Sequence, residues 1–348
     1  MNPSKHVRGA AYGIAAAGLF GASAPLAKLL LPESSPLALA SLFYLGAAGL
    51  LTVVRAIRGI GETPLRRADL PLLATITASG GILGPVLMLV GLSHVSGVAG
   101  SLILNLEAPL TMLVAVVAFG EHLGGRGALA AGVIVLCGAV LAWSTEGVAA
   151  EWLGVAALAA ACCCWALDNN MTQRLTLRDP IAVAHVKTIG AGATNLLLAV
   201  GAGAIFPSRA GLVVALGVGA LSYGLSIVLD TYALRAVGAA REAAYFATAP
   251  FFGALLAMPL LGEGLRAPDL VAGSAMALGV VLLVRERHGH LHTHHAIVHE
   301  HSHVHDAHHQ HPHDARTPIA EPHSHEHVHA PLEHAHPHVS DSHHRHRH

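Results

Sequence analysis

Apolar residues dominate the first 287 positions and occur in blocks of 20 or more, separated by short polar breaks. A helix needs about 20 apolar residues to cross the bilayer core of about 30 Å. Lipid leaves only helices and closed barrels as spanning structures, and barrel strands would alternate apolar and polar residues. Because these blocks do not alternate, they predict transmembrane helices. We expect ten spans, at approximately 9–31, 36–57, 69–92, 96–118, 127–145, 152–173, 180–204, 210–234, 240–261 and 268–284.

The first predicted span needs one check, because it follows Lys5 and Arg8 and contains the small residues Ala22 to Ala24. These are features of a cleaved secretory signal. The apolar stretch is too long for a signal core, and Pro25 would directly follow the cut. We therefore interpret it as an uncleaved first helix.

Basic residues are distributed unevenly among the loops. When the loops are assigned alternately to two sides, one side receives nearly all the Lys and Arg residues, and the other receives only Arg209 and Arg266. The positive-inside rule then predicts that both termini are cytoplasmic. The expected location is the cell (inner) membrane.

The chain also resembles itself at a shift of 141 residues, which aligns Gly97 with Gly238 and Pro109 with Pro250. This similarity implies two copies of five helices, and an odd number makes the second copy enter the membrane from the opposite face. Inverted repeats of this kind are common in secondary transporters, whose halves rock about a central site. The predicted organisation is a five-helix copy at 1–146, a second at 147–287, and a tail at 288–348.

The segments GSLILNLEAPLTMLVAVVAFGEHL (Gly100 to Leu123) and AAYFATAPFFGALLAMPLLGEGL (Ala243 to Leu265) resemble the paired fourth and ninth helices of the EamA family, in the drug/metabolite transporter superfamily. The segment CCCWALDNNMTQRL, ending at Leu175, resembles the start of that family's second copy. The first helix departs from the family, because LFGASAPLAKLL lacks a Trp often found there. The resemblance covers about residues 9–285. It implies ten helices, transport of small metabolites and no enzymatic activity, and it does not fix the substrate.

Ionisable side chains are costly in lipid and usually face a cavity or a partner. With a rise of about 1.5 Å per residue, Asp168, His185, Lys187 and Asp230 should lie at one depth, about 8–10 Å below the cytoplasmic boundary. One interpretation is a charged vestibule, in which Lys187 attracts an anionic group and Asp168 or Asp230 exchanges a proton. The other is an ion pair of Lys187 with Asp168 or Asp230 that only holds helices together.

Glu107 is predicted near the middle of the fourth span, two residues before Pro109, which removes a backbone donor and loosens the helix. This setting favours a substrate or proton site, with a structural hydrogen bond, for example through Asn105, as the alternative. The repeat aligns Glu107 with Thr248, so the site would be asymmetric. Lys28 lies toward the outer side, as a ligand or as a lysine that extends to the membrane surface.

The tail holds 24 of the 28 histidines and has almost no apolar content, which predicts disorder. In an extended chain, residues two apart share one side, so H-x-H brings imidazoles together. Imidazole suits zinc, nickel, cobalt and copper. The alternative is a solvated tail whose charge rises as the pH falls. The candidate metal ligands are His299, His301, His303, His305, His323, His325, His327 and His329.

Three functions remain open from the sequence. The first is a secondary transporter that moves a small polar metabolite, by export and with proton coupling. The second is an exporter of nickel, cobalt or zinc whose tail senses or loads the ion. The third is a membrane-anchored metal buffer, although an anchor has no need of an inverted repeat. No cofactor is required, and the expected partners are the lipid bilayer and a small-molecule or metal-ion substrate. A homodimer is open, and no nucleic acid is expected.

Overall fold

The computed structural model describes residues 3–58, 63–119, 124–143, 149–175, 178–237, 239–284, 288–294, 297–303, 323–329 and 332–338. Residues up to 284 in these ranges are almost entirely helical. The α-helices are α1 Pro3–Gly21, α2 Ser23–Leu30, α3 Pro36–Arg58, α4 Leu70–Ile76, α5 Gly84–His94, α6 Gly97–Ile103, α7 Glu107–Phe119, α8 Gly125–Trp143, α9 Ala149–Thr172, α10 Pro180–Gly201, α11 Arg209–Val218, α12 Ser226–Val237, α13 Ala239–Phe246, α14 Ala249–Leu261 and α15 Ala267–Val284. Short 3₁₀ turns cover Leu31–Glu33, Arg67–Asp69, Leu104–Leu106 and Gln173–Leu175, and π-helical turns cover Thr77–Leu83 and Gly219–Leu225.

Eight helical segments in the described ranges are long and apolar enough to cross a membrane. They agree with the first eight predicted spans to within a few residues, and a multi-pass membrane protein with helical spans is therefore confirmed. The predicted spans at 240–261 and 268–284 correspond to shorter apolar helices, so the count of ten stays a prediction. The eight segments are Val7–Glu33, Pro36–Arg58, Arg67–His94, Gly97–Ala118, Gly125–Trp143, Glu151–Leu175, Pro180–Gly201 and Arg209–Leu234.

Helix breaks occur at matching places in the two copies. In the first copy the 3₁₀ turn Leu104–Leu106 separates α6 from α7, just ahead of Pro109. In the second copy α13 ends at Phe246, and α14 resumes just ahead of Pro250. Proline lacks the donor that would continue the preceding turn, which explains why both helices are interrupted here.

The two π-helical turns also occupy matching places, Thr77–Leu83 in the third span and Gly219–Leu225 in the eighth. Both allow another helix to approach the backbone closely. A Cβ atom at Gly219 would collide with the carbonyl of Phe43 on α3, and one at Gly80 would collide with the carboxylate of Asp168 on α9.

The helices pack as corresponding pairs. Helix α1 of the first copy lies against α12 of the second copy. The equivalent helices with the copies exchanged, α9 and α5, are also in contact. Two further contacts, α3 with α10 and α8 with α15, each join an element to its own counterpart. The largest buried cluster draws side chains from both copies, including Phe43, Tyr44, Trp165 and Tyr223.

Disorder of the tail as a whole stays a prediction, and short parts of the tail have regular structure. They form four strands: β1 His288–His294, β2 Ile297–His303, β3 His323–His329 and β4 Leu332–His338. β1 pairs with β4 and β2 with β3, both antiparallel. Histidine at every second position has the period of a strand, and the pairing of strands satisfies their backbone hydrogen-bonding groups. The other tail residues, His305 among them, lie outside the described residues.

Candidate functional site

Asp168 and Lys187 form a buried ion pair between α9 and α10. Lys187 Nζ donates to Asp168 Oδ2, and the two side chains are 20% and 6% exposed, respectively. Thr172 Oγ1 donates to the other oxygen, Asp168 Oδ1, at 3.2 Å. The predicted pairing of these two charges is thus present in the structure.

The π-helical turn of the third span packs directly on this ion pair. The carbonyl of Gly80 accepts hydrogen bonds from Tyr44 Oη at 2.9 Å and from Trp165 Nε1 at 3.1 Å. Asn195 Nδ2 donates to the carbonyl of Gly81 at 3.2 Å, while its Oδ1 is buried without a hydrogen-bond partner among the described residues. Side chains from three helices therefore hold this turn in place against the Asp168 carboxylate.

Glu107 lies close to the same ion pair. It begins α7, immediately after the 3₁₀ break, and its Oε1 accepts a hydrogen bond from Asn169 Nδ2 at 2.7 Å. Asn169 follows Asp168 directly on α9, so this bond places Glu107 beside the ion pair. We call Glu107, Asp168, Asn169 and Lys187 the central charged cluster. It joins α7, α9 and α10, and it contains acceptors, donors and both signs of charge.

An aromatic group adjoins the cluster through Tyr44. The Tyr223 ring centre lies 5.6 Å from that of Tyr44, 5.9 Å from Phe43 in a stacked arrangement, and 5.7 Å from Phe20 edge-on. Such separations are typical of favourable aromatic pairs. Helices from both copies thus contribute an apolar wall beside the charges.

His185 and Asp230 do not join the cluster, contrary to the depth argument. His185 Nε2 lies 2.8 Å from Thr52 Oγ1, and its Nδ1 lies 3.0 Å from Arg55 Nη1, both on α3. Asp230 lies near Glu242 of α13, and its Oδ1 is buried without a hydrogen-bond partner among the described residues. Equal depth fixes the height of a residue in the membrane but not the direction in which its side chain points around the helix. His185 and Lys187 are two residues apart on α10, and side chains at that spacing point about 200° apart.

Two further candidates have structural partners of their own. Asn105 Nδ2 donates to the carbonyl of Leu102 at 3.1 Å and lies 3.9 Å from Met276 Sδ, so these contacts do not link it to Glu107. Lys28 Nζ donates to the carbonyl of Leu92 at 2.8 Å and to that of Val95. Its ammonium group therefore stabilises the end of α5.

Glu263 supports the start of a helix in the other copy. Its two carboxylate oxygens accept from the backbone N–H groups of Gly97 at 2.7 Å and Val98 at 2.8 Å, the first residues of α6. It also lies within electrostatic reach of Lys28. Lys28 and Glu263 therefore connect the end of α5 and the start of α6 with α2 and with the loop after α14.

Sequence reasoning missed Asn169, Thr172, Gly80 and Glu242 as partners of the ionisable residues. The run Asp168, Asn169 and Asn170 in an apolar helix was a usable signal, because polar side chains in lipid need partners. Gly80 had no such signal, since its role depends on a contact from another helix.

No group of three or more His, Cys, Asp or Glu residues that could hold a metal ion occurs among the side chains that the structure describes. The tail histidines are not among those side chains. Metal binding by the tail stays a prediction.

Comparison with known proteins adds three findings. The sequence matches the EamA-like transporter family over residues 7–150 and again over 152–285. A relative named "Uncharacterized transporter", from Methanothermobacter thermautotrophicus, is 30% identical over 291 residues, covering 78% of this chain and 84% of the relative. A solved crystal structure superposes with a TM-score of 0.60 at 15% identity, over 80% of this chain and 97% of that one, and it shows the fold alone.

Proposed function

The chain belongs to the EamA-like transporter family, and from this premise we propose that it is a secondary active transporter that exports a small polar metabolite in exchange for protons. The central charged cluster is the observation that carries the proposal. A membrane interior rarely accommodates Glu, Asp and Lys together unless they serve a pathway or a proton relay. The names of the family and of the relative both describe transport, not catalysis.

The cluster has the groups that this function needs. Lys187 supplies a cation that attracts an anionic group of the solute, and Asp168 receives or releases a proton when that ion pair opens. Glu107 stands at the break between α6 and α7, where the backbone is already interrupted. The aromatic rings around Tyr223 offer an apolar surface for the remainder of the solute.

Alternating access through an inverted repeat is part of the same proposal. It is supported by the two family matches, by the corresponding helix contacts, and by breaks and π-helical turns at matching positions. Two pseudo-equivalent halves of this kind can rock about a site between them. The bias of basic residues supports an inner-membrane orientation with both termini in the cytoplasm.

Glu107→Gln tests this function, because it keeps the size of the side chain and a hydrogen-bonding oxygen while removing the charge. We expect cells that express the wild-type chain to enrich at least one polar metabolite in the medium, measured by mass spectrometry. Glu107→Gln should abolish that enrichment at unchanged membrane abundance. Glu33→Gln is the matched control, since Glu33 is exposed and lies outside the cluster, and it should export normally. Normal export by Glu107→Gln would overturn the assignment.

The metal-export alternative has no supporting observation among the described side chains, where no cluster of three metal ligands occurs. The metal content of the same cells tests this alternative directly. If nickel, cobalt or zinc content fell on expression while every metabolite stayed unchanged, the cargo would be the metal and the metabolite proposal would fail.

A further inference from the structure

The tail strands pair in a register that sets histidine opposite histidine. In the β2–β3 ladder His301 is the partner of His325, with histidine pairs on both sides of it. The β1–β4 ladder repeats the arrangement around His290 and His336. The histidine pairs are His299 with His327, His301 with His325, His303 with His323, His288 with His338, His290 with His336 and His292 with His334.

The sequence itself encodes this register. Residues 297–303 read IVHEHSH, and the same letters in reverse are HSHEHVI. Residues 323–329 read HSHEHVH, which is identical except at the last position. Two segments that mirror each other in this way bring like residues together when they pair antiparallel, and a shift by one residue would lose every histidine pair.

We propose that the tail binds divalent first-row transition-metal ions between its paired strands, each ion held by histidines at opposing register positions. Opposing residues in an antiparallel pair have Cβ atoms about 4.5–5.5 Å apart and share a face of the ladder. The next pair on that face lies two residues further on, about 7 Å along the strand. Two successive pairs therefore put four histidines at neighbouring register positions, which is the number of ligands that a tetrahedral ion needs, with metal–nitrogen distances of about 2.0–2.1 Å.

The pairing needs a source of stability that a bound ion would supply. A two-stranded ladder is marginal in water without further packing. This one also sets Glu300 opposite Glu326, and like charges directly opposite each other destabilise a sheet. A cation coordinated from both strands links them and adds the missing attraction. Strand formation and metal binding should therefore be coupled.

Ligand chemistry defines the class of ion. Neutral imidazole suits zinc, nickel, cobalt and copper, and the hard cations calcium and magnesium prefer oxygen ligands. Coordination requires deprotonated imidazole, so binding should weaken as the pH falls through the ordinary histidine range. The proposal stands independently of the cargo in the membrane, because it concerns only the tail.

The test uses the full-length chain in detergent, with nickel chloride or zinc chloride alone as the probe in equilibrium dialysis. The first variant replaces His299, His301 and His303 with Ala, which removes every histidine of β2 and leaves those of β3 in place. The control removes the same number of histidines outside both ladders, at His343, His344 and His346. We expect the β2 variant to lose the ions of its ladder, with binding there at least about tenfold weaker, and the control to bind like the wild type.

A third variant also replaces His323, His325 and His327 in β3. If ions bind between the strands, replacing histidines in both strands should weaken metal binding no more than replacing those of β2 alone. Backbone amides of 297–303 and 323–329 should also exchange more slowly with nickel in the wild type and not in the β2 variant. A loss proportional to the number of histidines removed, equal effects of the β2 variant and the control, or no binding by the wild type would each overturn the proposal.

Discussion

At the scale of single residues, the Asp168–Lys187 pair allows two roles, and removing both charges together distinguishes them. A pair that only joins α9 to α10 becomes dispensable once both partners are neutral. A pair that binds solute or protons is still needed for transport. The close approach of Gly80 and the bond from Thr172 hold the pair in one geometry, which the transport role requires to open and the structural role does not.

We predict that Asp168→Asn destabilises the protein by about 3–5 kcal/mol, because it leaves the largely buried Lys187 ammonium without its counter-charge. Asp168→Asn combined with Lys187→Met should recover most of that stability, measured as the thermal unfolding midpoint in detergent. Export should stay abolished in the double variant. If the double variant exports like the wild type, the pair only holds the helices together.

The residues of the site were predictable only in part. Asp168, Lys187 and Glu107 stood out because charge in an apolar span is conspicuous, and the structure brings them into one cluster. His185 and Asp230 were equally conspicuous, yet His185 contacts α3 and Asp230 lies beside Glu242. Sequence gives height along a helix, whereas rotation about the helix axis depends on packing that emerges only in the fold.

At the scale of elements, Glu263 shows how a loop residue stabilises a distant helix. Its carboxylate satisfies two N–H groups at the start of α6, which have no partner within the helix itself. The negative charge is also favourable at that end of the helix dipole. The start of the broken fourth span therefore depends on a residue in the loop after α14.

We predict that Glu263→Ala lowers the free energy of unfolding by about 1–2 kcal/mol, since two donors lose their acceptor. Glu33→Ala is a suitable control, because Glu33 is exposed and accepts one long hydrogen bond, from Ser208 at 3.5 Å. It should change stability by less than about 0.5 kcal/mol. Equal effects of the two variants on the unfolding midpoint would contradict the capping role.

Elements were more predictable than contacts. The first eight spans agree with the sequence because twenty apolar residues in a row leave a chain few alternatives in lipid. The break ahead of Pro109 was predictable from the chemistry of proline. The π-helical turns at Thr77–Leu83 and Gly219–Leu225 had no local signal, because they depend on close packing against neighbouring helices. The described tail strands follow the two-residue period of histidine, which composition alone does not reveal.

At the scale of the whole molecule, the distribution of basic residues predicts the orientation of the chain in the membrane. Arg67 and Arg209 are both exposed and fall on opposite sides in the predicted arrangement. In intact cells, a membrane-impermeant maleimide should label Arg209→Cys, while Arg67→Cys should react only after the membrane is permeabilised. The parent chain, with its four native cysteines, gives the background. The opposite labelling pattern would contradict cytoplasmic termini.

The matching breaks in the two copies carry different residues: Glu107 begins α7, whereas Thr248 precedes α14 and donates to the carbonyl of Tyr245 at 2.6 Å. Two identical subunits could not differ in this way, since one gene would place the same residue at both positions. Fusion of the copies into one polypeptide removes that restriction. Each half can then carry its own residue at the break, an acid in one and a neutral hydroxyl in the other.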